Sequence, residues 1–423
     1  MKKIVSAALL AAMVAGAASA EVKVSSNFRI RPVLAEWNMG TEADTLARYF
    51  DLDSVQGAAD TLTFDAKADY AGVKLVYNTS ISKSTISIDT FNGYVKFGAL
   101  TFTGGLFDSR IANRVTKDQN NLSFIEQNWG PTYNDAKVKA ADVYETNKTN
   151  NKFAGTKKLG VNPNSPLKGK AIGVDSDNIT AIEGTKALSF VADYVFADLG
   201  GGDLQVWAAL NKNADEWPTA NDDGVKTVEV DSSYAFRVAY TMKDTFAVDA
   251  DLHIVKQGIV AALFFSPLMV ENLQSTLGFT FGKAEEGAGE DADTAIAIDA
   301  RFRYAIDKAM AVGLYFNFTN VNVGDDAAID SCGTVDTVLN FNYALNDLVN
   351  VFVEGEFVMF TNSDVKDAYG SQLAAQLGAI FTAGKGAELD VAARLAMAGL
   401  GADQDKDLIG MQISIPMVMR VKL

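Results

Sequence analysis

Cysteine, histidine and long apolar runs are all scarce in this chain, and each shortage removes a class of structure. Cys332 is the only cysteine, so no intramolecular disulfide can form. His253 is the only histidine, and one histidine with one distant cysteine does not make a metal-binding cluster. Beyond residue 20, no stretch reaches the roughly 18 apolar residues of a membrane-spanning helix. The longest, GIVAALFFSPLMV, runs only from Gly258 to Val270.

Basic residues are also in deficit. The chain has 37 Lys and Arg against 53 Asp and Glu, a formal net charge of −16. Without residues 1–20, which contain Lys2 and Lys3 and no acid, the net charge is −18, from −16 minus 2. Nucleic acids bind to basic surfaces, so this acidity excludes nucleic acid as an expected partner.

The first 20 residues have the three parts of a secretory signal peptide. Lys2 and Lys3 form the basic region, residues 4–14 the apolar region, and Ala18-Ser19-Ala20 the small-residue cleavage site. We predict that residues 1–20 are cleaved and that the mature chain begins at Glu21.

The rest of the chain alternates apolar and polar residues with period two. Around YAIDKAMAV, residues 304–312, the even positions from Ile296 to Phe318 are apolar, while the odd ones include Asp299, Arg301 and Arg303. This pattern predicts a β-hairpin with one apolar face. The stretches YTMKDTFAV (240–248) and YALNDLVNV (343–351) share the same plan.

Counted along the chain, the alternating segments predict about 18 strands, with 16 as the alternative. Most have the roughly 9–11 residues that a tilted strand needs to cross a bilayer. Short turns, the first at 71–72, alternate with mostly longer loops such as Ala35–Asp60 and Asn322–Thr334. The chain offers no amphipathic helices that could cover so many apolar strand faces in a soluble protein. We therefore predict an all-β fold, a single transmembrane antiparallel β-barrel over residues 21–423 with short periplasmic turns and long external loops.

Three local features resemble the porin family of Gram-negative outer membranes. They are the glycine-centred hairpin YVKFGALTFTGG (94–105), a long segment after the fifth strand, and alternation to the last residue, Leu423, where the family usually has Phe. The resemblance implies residence in the outer membrane in contact with its lipid, and a homotrimer as the assembly to expect. It also implies that the long segment folds into the barrel and narrows it.

The long segment, residues 108–186, differs in charge from the rest of the chain. It has 12 Lys and Arg against 9 Asp and Glu, a net of +3, which leaves −21 on the remaining mature chain. A basic segment inside an acidic barrel would meet complementary charge. Arg110 and Arg114 are then the candidates for the constriction, and a wholly external loop is the alternative.

If the apolar positions face lipid, their neighbours in each strand face the lumen. A wall that carries both signs of charge across a water-filled pore selects which solutes pass. The candidate pore-lining residues are Arg29, Arg31, Lys67, Arg237, Arg301, Arg303, Arg394, Asp249, Asp251, Asp299, Glu354 and Glu356.

The predicted function is a porin that passes small hydrophilic solutes or ions by passive diffusion. The alternative is a surface adhesin or receptor barrel with a blocked pore. An enzyme is not expected: His253 lies beside the acids Asp249 and Asp251, but no nucleophile motif such as G-x-S-x-G occurs. No cofactor and no metal are expected.

Overall fold

The computed structural model is one closed antiparallel β-barrel. It describes residues 21–30, 33–39, 46–51, 59–80, 85–107, 187–212, 232–255, 258–284, 294–322, 331–361, 363, 371–384, 386–401 and 410–423. In these ranges no helix is long and apolar enough to cross a membrane.

Twenty strand segments form a single sheet. The first ten are β1 (Glu21–Ile30), β2 (Val33–Met39), β3 (Leu46–Asp51), β4 (Ala59–Lys67), β5 (Ala71–Ser80), β6 (Thr85–Phe97), β7 (Leu100–Phe107), β8 (Ala187–Leu199), β9 (Gly202–Lys212) and β10 (Ser232–Met242). The others are β11 (Phe246–Val255), β12 (Gly258–Pro267), β13 (Leu273–Ala284), β14 (Thr294–Ala305), β15 (Met310–Asn322), β16 (Ser331–Asn346), β17 (Val349–Phe360), β18 (Ser371–Thr382), β19 (Ala387–Leu400) and β20 (Gly410–Lys422).

These twenty segments make 18 strands of the barrel. β1 and β2 both pair with β20, so they are two parts of one strand, with Ile30 opposite Met419 and Val33 opposite Pro416. β3 and β4 are likewise two parts of the second strand, since β3 pairs with β2 and β4 with β1. Pairing between β1 and β20 closes the barrel. The predicted count of 18 is confirmed, and the alternative of 16 is wrong.

Short connections lie at one end of the barrel. They span residues 68–70, 98–99, 200–201, 243–245, 268–272, 306–309, 347–348 and 383–386. At the opposite end the gaps between strands are mostly longer: β7 ends at Phe107 and β8 begins at Ala187, although only two residues separate β11 from β12. This asymmetry is the one predicted from the sequence, and it is typical of transmembrane barrels.

The two faces of the sheet differ as the period-two pattern predicts. On β10, Phe236 and Val238 are 45% and 48% exposed on the outer face, whereas Ala235 and Arg237 are buried on the inner face. Tyr304 and Tyr343 are exposed on the outer face beside the short turns. An apolar outer surface on a closed barrel suits contact with lipid. The predicted location in the outer membrane is confirmed by this architecture.

Three boundaries predicted from the sequence are wrong. Ala71-Gly72 is not a turn but the start of β5, because the turn lies at 68–70. The predicted loop Ala35–Asp60 contains β3 and most of β2, and β16 begins at Ser331, inside the predicted loop Asn322–Thr334. In both loops, pairing with a neighbouring strand extends the ladder through residues whose own alternation is weak.

Gly72 has a different role from the turn that its sequence indicated. It lies opposite Tyr94 of β6, and a Cβ atom on Gly72 would come within 2.7 Å of Cζ of that ring. Glycine is therefore needed so that the aromatic ring can lie against the backbone. Gly378 of β18 repeats this arrangement opposite Phe352 of β17.

Gly378 provides a test of this close packing. A methyl group on Gly378 would lie 2.5 Å from Cζ of Phe352 and 2.6 Å from the carbonyl oxygen of Val391. We expect Gly378→Ala to lower the free energy of unfolding by about 1–3 kcal/mol, because the ring has to move. Urea unfolding in lipid vesicles, followed by tryptophan fluorescence, measures the loss.

Gly355→Ala is the matched control. A methyl group on Gly355 would meet no atom nearer than the carbonyl oxygen of Ala374, at 3.9 Å. It should leave the unfolding midpoint almost unchanged. Equal midpoints for the two variants would mean that Phe352 does not need the space above Gly378.

Candidate functional site

Three charged side chains meet on the inner face of β10 and β11. Nε of Arg237 donates to Oδ1 of Asp249 at 2.7 Å, and its Nη2 donates to the other oxygen of that carboxylate. The same Nε lies 3.8 Å from Oδ1 of Asp251. Arg237 is directly opposite Asp251 in register, and Asp249 is two residues along on the same face. We call this group the Arg237 triad.

The Arg237 triad lies in apolar surroundings. In register with it are Trp207 of β9 and Ala262 and Phe264 of β12. Trp207 packs against the buried cluster of Val191, Ala209 and Ala235. All three charged residues of the triad are buried. In such surroundings charge pairs are poorly screened, so each member depends strongly on its partners.

A second acid on this wall has a neutral partner. Nε2 of Gln205 lies 2.6 and 2.7 Å from the two oxygens of Asp193 and donates to that carboxylate. Asp193 belongs to the same register row as Arg237 and Asp251, since Trp207 lies between Asp193 and Arg237. This part of the wall therefore carries more negative than positive charge.

The second group of inner polar residues crosses β17 to β20. Glu354, Gln376, Arg394 and Ser414 follow one another in register on the four strands, and each is at most 4% exposed. Nε2 of Gln376 donates to Oε1 of Glu354 at 2.9 Å. We call these four residues the polar row.

The polar row is bordered by an apolar layer and by further ionisable residues. On the side of the short turns lies an apolar layer formed by Phe352, Ala392 and Val418, with Ile380 packed against it. Glu356 and Asp390 are also buried on this wall. The wall from β17 to β20 is therefore closely packed and contains ionisable groups.

Other charged side chains lie nearer the short-turn end. Nζ of Lys67 is 2.8 Å from Oδ2 of Asp65, and Nη1 of Arg420 donates to Oε1 of Glu388 at 2.9 Å. Arg303 is exposed. These groups contact water more than the Arg237 triad and the polar row do.

The structure brings together some of the predicted pore-lining residues. Arg237, Asp249 and Asp251 form the triad, and Glu354 and Arg394 belong to the polar row. Glu356, Lys67 and Arg303 belong to neither group. The backbones of Arg29, Asp299 and Arg301 lie in strands, but their side chains are outside the described part of the chain, as are all atoms of Arg31, Arg110 and Arg114. That these residues line a pore remains a prediction.

Sequence reasoning missed the amides that bind two of the acids. Gln205 and Gln376 lie on the same face as the acids beside them, Asp193 and Glu354. Parity could have placed them on the inner face, but not opposite a particular acid. Within the described residues, no group of three or more His, Cys, Asp and Glu side chains could hold a metal ion.

Comparison with known proteins identifies the fold and no family. No family model and no curated protein matches this chain. Among solved structures it is similar to OccK11 (OpdR) of Pseudomonas aeruginosa, with a TM-score of 0.50 and 9% identity over 95% of this chain and 96% of that chain. An anion-selective porin from Comamonas acidovorans has a TM-score of 0.49 and 11% identity, over 95% of this chain and 100% of that chain. At this identity the likeness to the first shows a shared barrel fold.

Removal of the arginine tests whether the triad holds the wall together. Arg237→Met would leave Asp249 and Asp251 buried side by side without a cation. We expect a loss of about 3–5 kcal/mol in the free energy of unfolding, the usual result of breaking a buried ion pair. Urea titration of the protein in lipid vesicles measures it.

Asp193→Asn is the control for charge removal in the same row. The asparagine oxygen can still accept from Gln205, so the loss should stay below about 1 kcal/mol. If Arg237→Met were no more destabilising than Asp193→Asn, the triad would not be a structural element of the wall.

Proposed function

We propose that the protein is an outer-membrane porin, a passive diffusion channel for small hydrophilic solutes or ions. The observation that supports this is the closed 18-stranded barrel with charged side chains, such as Arg237, Glu354 and Arg394, on its inner face and apolar ones outside. A polar path across a bilayer requires this distribution. From the resemblance of the sequence to porins, the proposal also includes that the protein works as a homotrimer embedded in outer-membrane lipid.

Residues 108–186 form the constriction in this proposal, with Arg110 and Arg114 among the residues that narrow the pore. The support is complementary charge. The segment has a net charge of +3, and the inner wall has the carboxylates of Glu354, Glu356 and Asp390. The exposed Arg303, with Arg29, Arg31, Lys67, Arg301 and Asp299, supplies the field that sorts ions.

Conductance in planar lipid bilayers tests the channel directly. Purified, folded protein should produce stable conductance steps that grow with salt concentration. A folded protein that stays silent would contradict the porin proposal.

One observation favours a second function, a surface receptor or adhesin with a blocked pore. The polar row and Phe352 beside it are between 1% and 4% exposed, so this part of the inner wall is covered rather than open to water. A barrel that only displays its long loops needs no open path. Silence in the bilayer would support this second function.

Arg301 and Arg303 provide a test of ion selectivity. They are the odd-numbered cations of β14, and Arg303 is exposed. Changing both to Gln should leave the barrel folded and shift the pore toward cations, because two positive charges leave the field. The reversal potential in a salt gradient measures the shift.

Lys308→Gln serves as the control, because it removes a positive charge from the short turn at 306–309 and not from a strand. Its reversal potential should match that of the unchanged protein. An unshifted potential in the folded double variant would mean that the two arginines lie outside the conducting path.

A further inference from the structure

The Arg237 triad contains one cation and two carboxylates. Asp249 accepts both hydrogen bonds of the guanidinium fork, so the arginine is oriented toward that acid. Asp251 is left with the 3.8 Å approach to Nε, which is too long for a hydrogen bond. Neither of its oxygens accepts a hydrogen bond, and its side chain is fully covered, at 0% exposure. With both carboxylates ionised, the triad has one negative charge in excess, and Asp251 is the acid that Arg237 does not bind by hydrogen bonds.

The residues in register with the triad do not supply the missing cation. They are Trp207, Ala239, Ala262 and Phe264, none of which is charged. The acid in the same row, Asp193, adds a further negative charge and is bound by the neutral Gln205. Among the residues in register with the triad whose side chains the structure describes, none adds a second cation to Arg237.

A carboxylate without a hydrogen bond is costly in a covered, apolar wall, because it has lost its water and has gained only a cation at 3.8 Å. An ionisable residue in a membrane-spanning segment is also a functional candidate by default. We propose that Asp251 is a binding site for a small monovalent cation that enters the barrel, either an alkali ion or the ammonium group of a solute. The inference rests on the proposed channel function for the cation's route.

The charge of the triad determines which ligands fit. One excess negative charge on the triad matches a ligand with one positive charge. A divalent metal ion does not fit, because in the described residues no third acid or histidine joins Asp249 and Asp251. Arg237 remains bound to Asp249 and keeps the second carboxylate occupied. An anion would meet the excess charge on Asp251 and be repelled.

The test compares Asp251→Asn with Asp193→Asn, which removes the same charge from the same register row. Single-channel conductance is measured against the concentration of potassium chloride and of methylammonium chloride. In the unchanged protein conductance should saturate with one or both salts, because the cation occupies a site. Asp251→Asn should abolish saturation and reduce cation preference at least about twofold, corresponding to about 0.4 kcal/mol. Asp193→Asn should keep both properties.

A second measurement does not need a conducting pore. Urea unfolding is followed in chloride salts of potassium, methylammonium and the bulky N-methylglucamine at equal ionic strength. A small cation should raise the unfolding midpoint of the unchanged protein above the value in N-methylglucamine. Asp251→Asn should abolish this difference and be more stable in N-methylglucamine than the unchanged protein, because its buried charge is gone. Stabilisation by potassium alone would identify an alkali site, and stabilisation by methylammonium a site for the ammonium group of a solute.

The outcomes separate this inference from the function on which it rests. A silent, folded protein would refute the channel, and the unfolding experiment would then decide the cation site alone. A conducting protein whose Asp251→Asn variant keeps saturation and the same salt-dependent midpoint would overturn the site. Loss of stability in Asp251→Asn would also overturn it, since Asp251 would then have a partner within the chain.

Discussion

The rest of the structure depends on the seam where the first strand meets the last. β20 pairs with β1 from Asn27 opposite Lys422 and continues along β2 to Met39 opposite Met411. At the end of this seam, the backbones of Ser26 and Leu423 exchange two hydrogen bonds of 3.0 Å. Hydrocarbon offers no partners for backbone N–H and C=O groups, so an open seam would leave two unpaired edges in lipid. The last residue of the chain is therefore part of the wall.

Closure of the barrel also determines which positions charged side chains can occupy. In a closed sheet every side chain points either outward or inward, and neighbours along a strand alternate. Charged residues in the strands must take the inner positions, where they lie next to whatever the adjacent strand has in register. For Arg237 that neighbour is Asp251 on one side and Trp207 on the other. Charged side chains at buried inner positions therefore form close ion pairs or accept hydrogen bonds from amides, because they have lost the water that would otherwise solvate them.

The sequence predicts the features that depend on local spacing and misses those that depend on register. Period two and tight turns predicted 18 strands and placed Arg237 and Glu354 on the inner face, because side-chain direction follows from the residue number alone. Which residues stand opposite one another depends on the stagger of the strands around the barrel, which no local pattern records. Hence Gly72 resembled a turn although Tyr94 lies against it. The choice of Asp249 over Asp251 by Arg237 could not be foreseen either.

Stagger also explains why charges of the same wall differ in character. The polar row extends beyond β17, because Glu354 pairs with Asn340, Asn340 with Gly313, and Gly313 with Arg303. One register row thus runs from Arg303, which is exposed next to a glycine, to Arg394, which is buried among polar side chains. Arg303, opposite Gly313, is open to water at little structural cost, whereas Arg394, opposite Gln376, is part of the packing. The residue opposite each charge therefore affects whether that charge is solvated or packed.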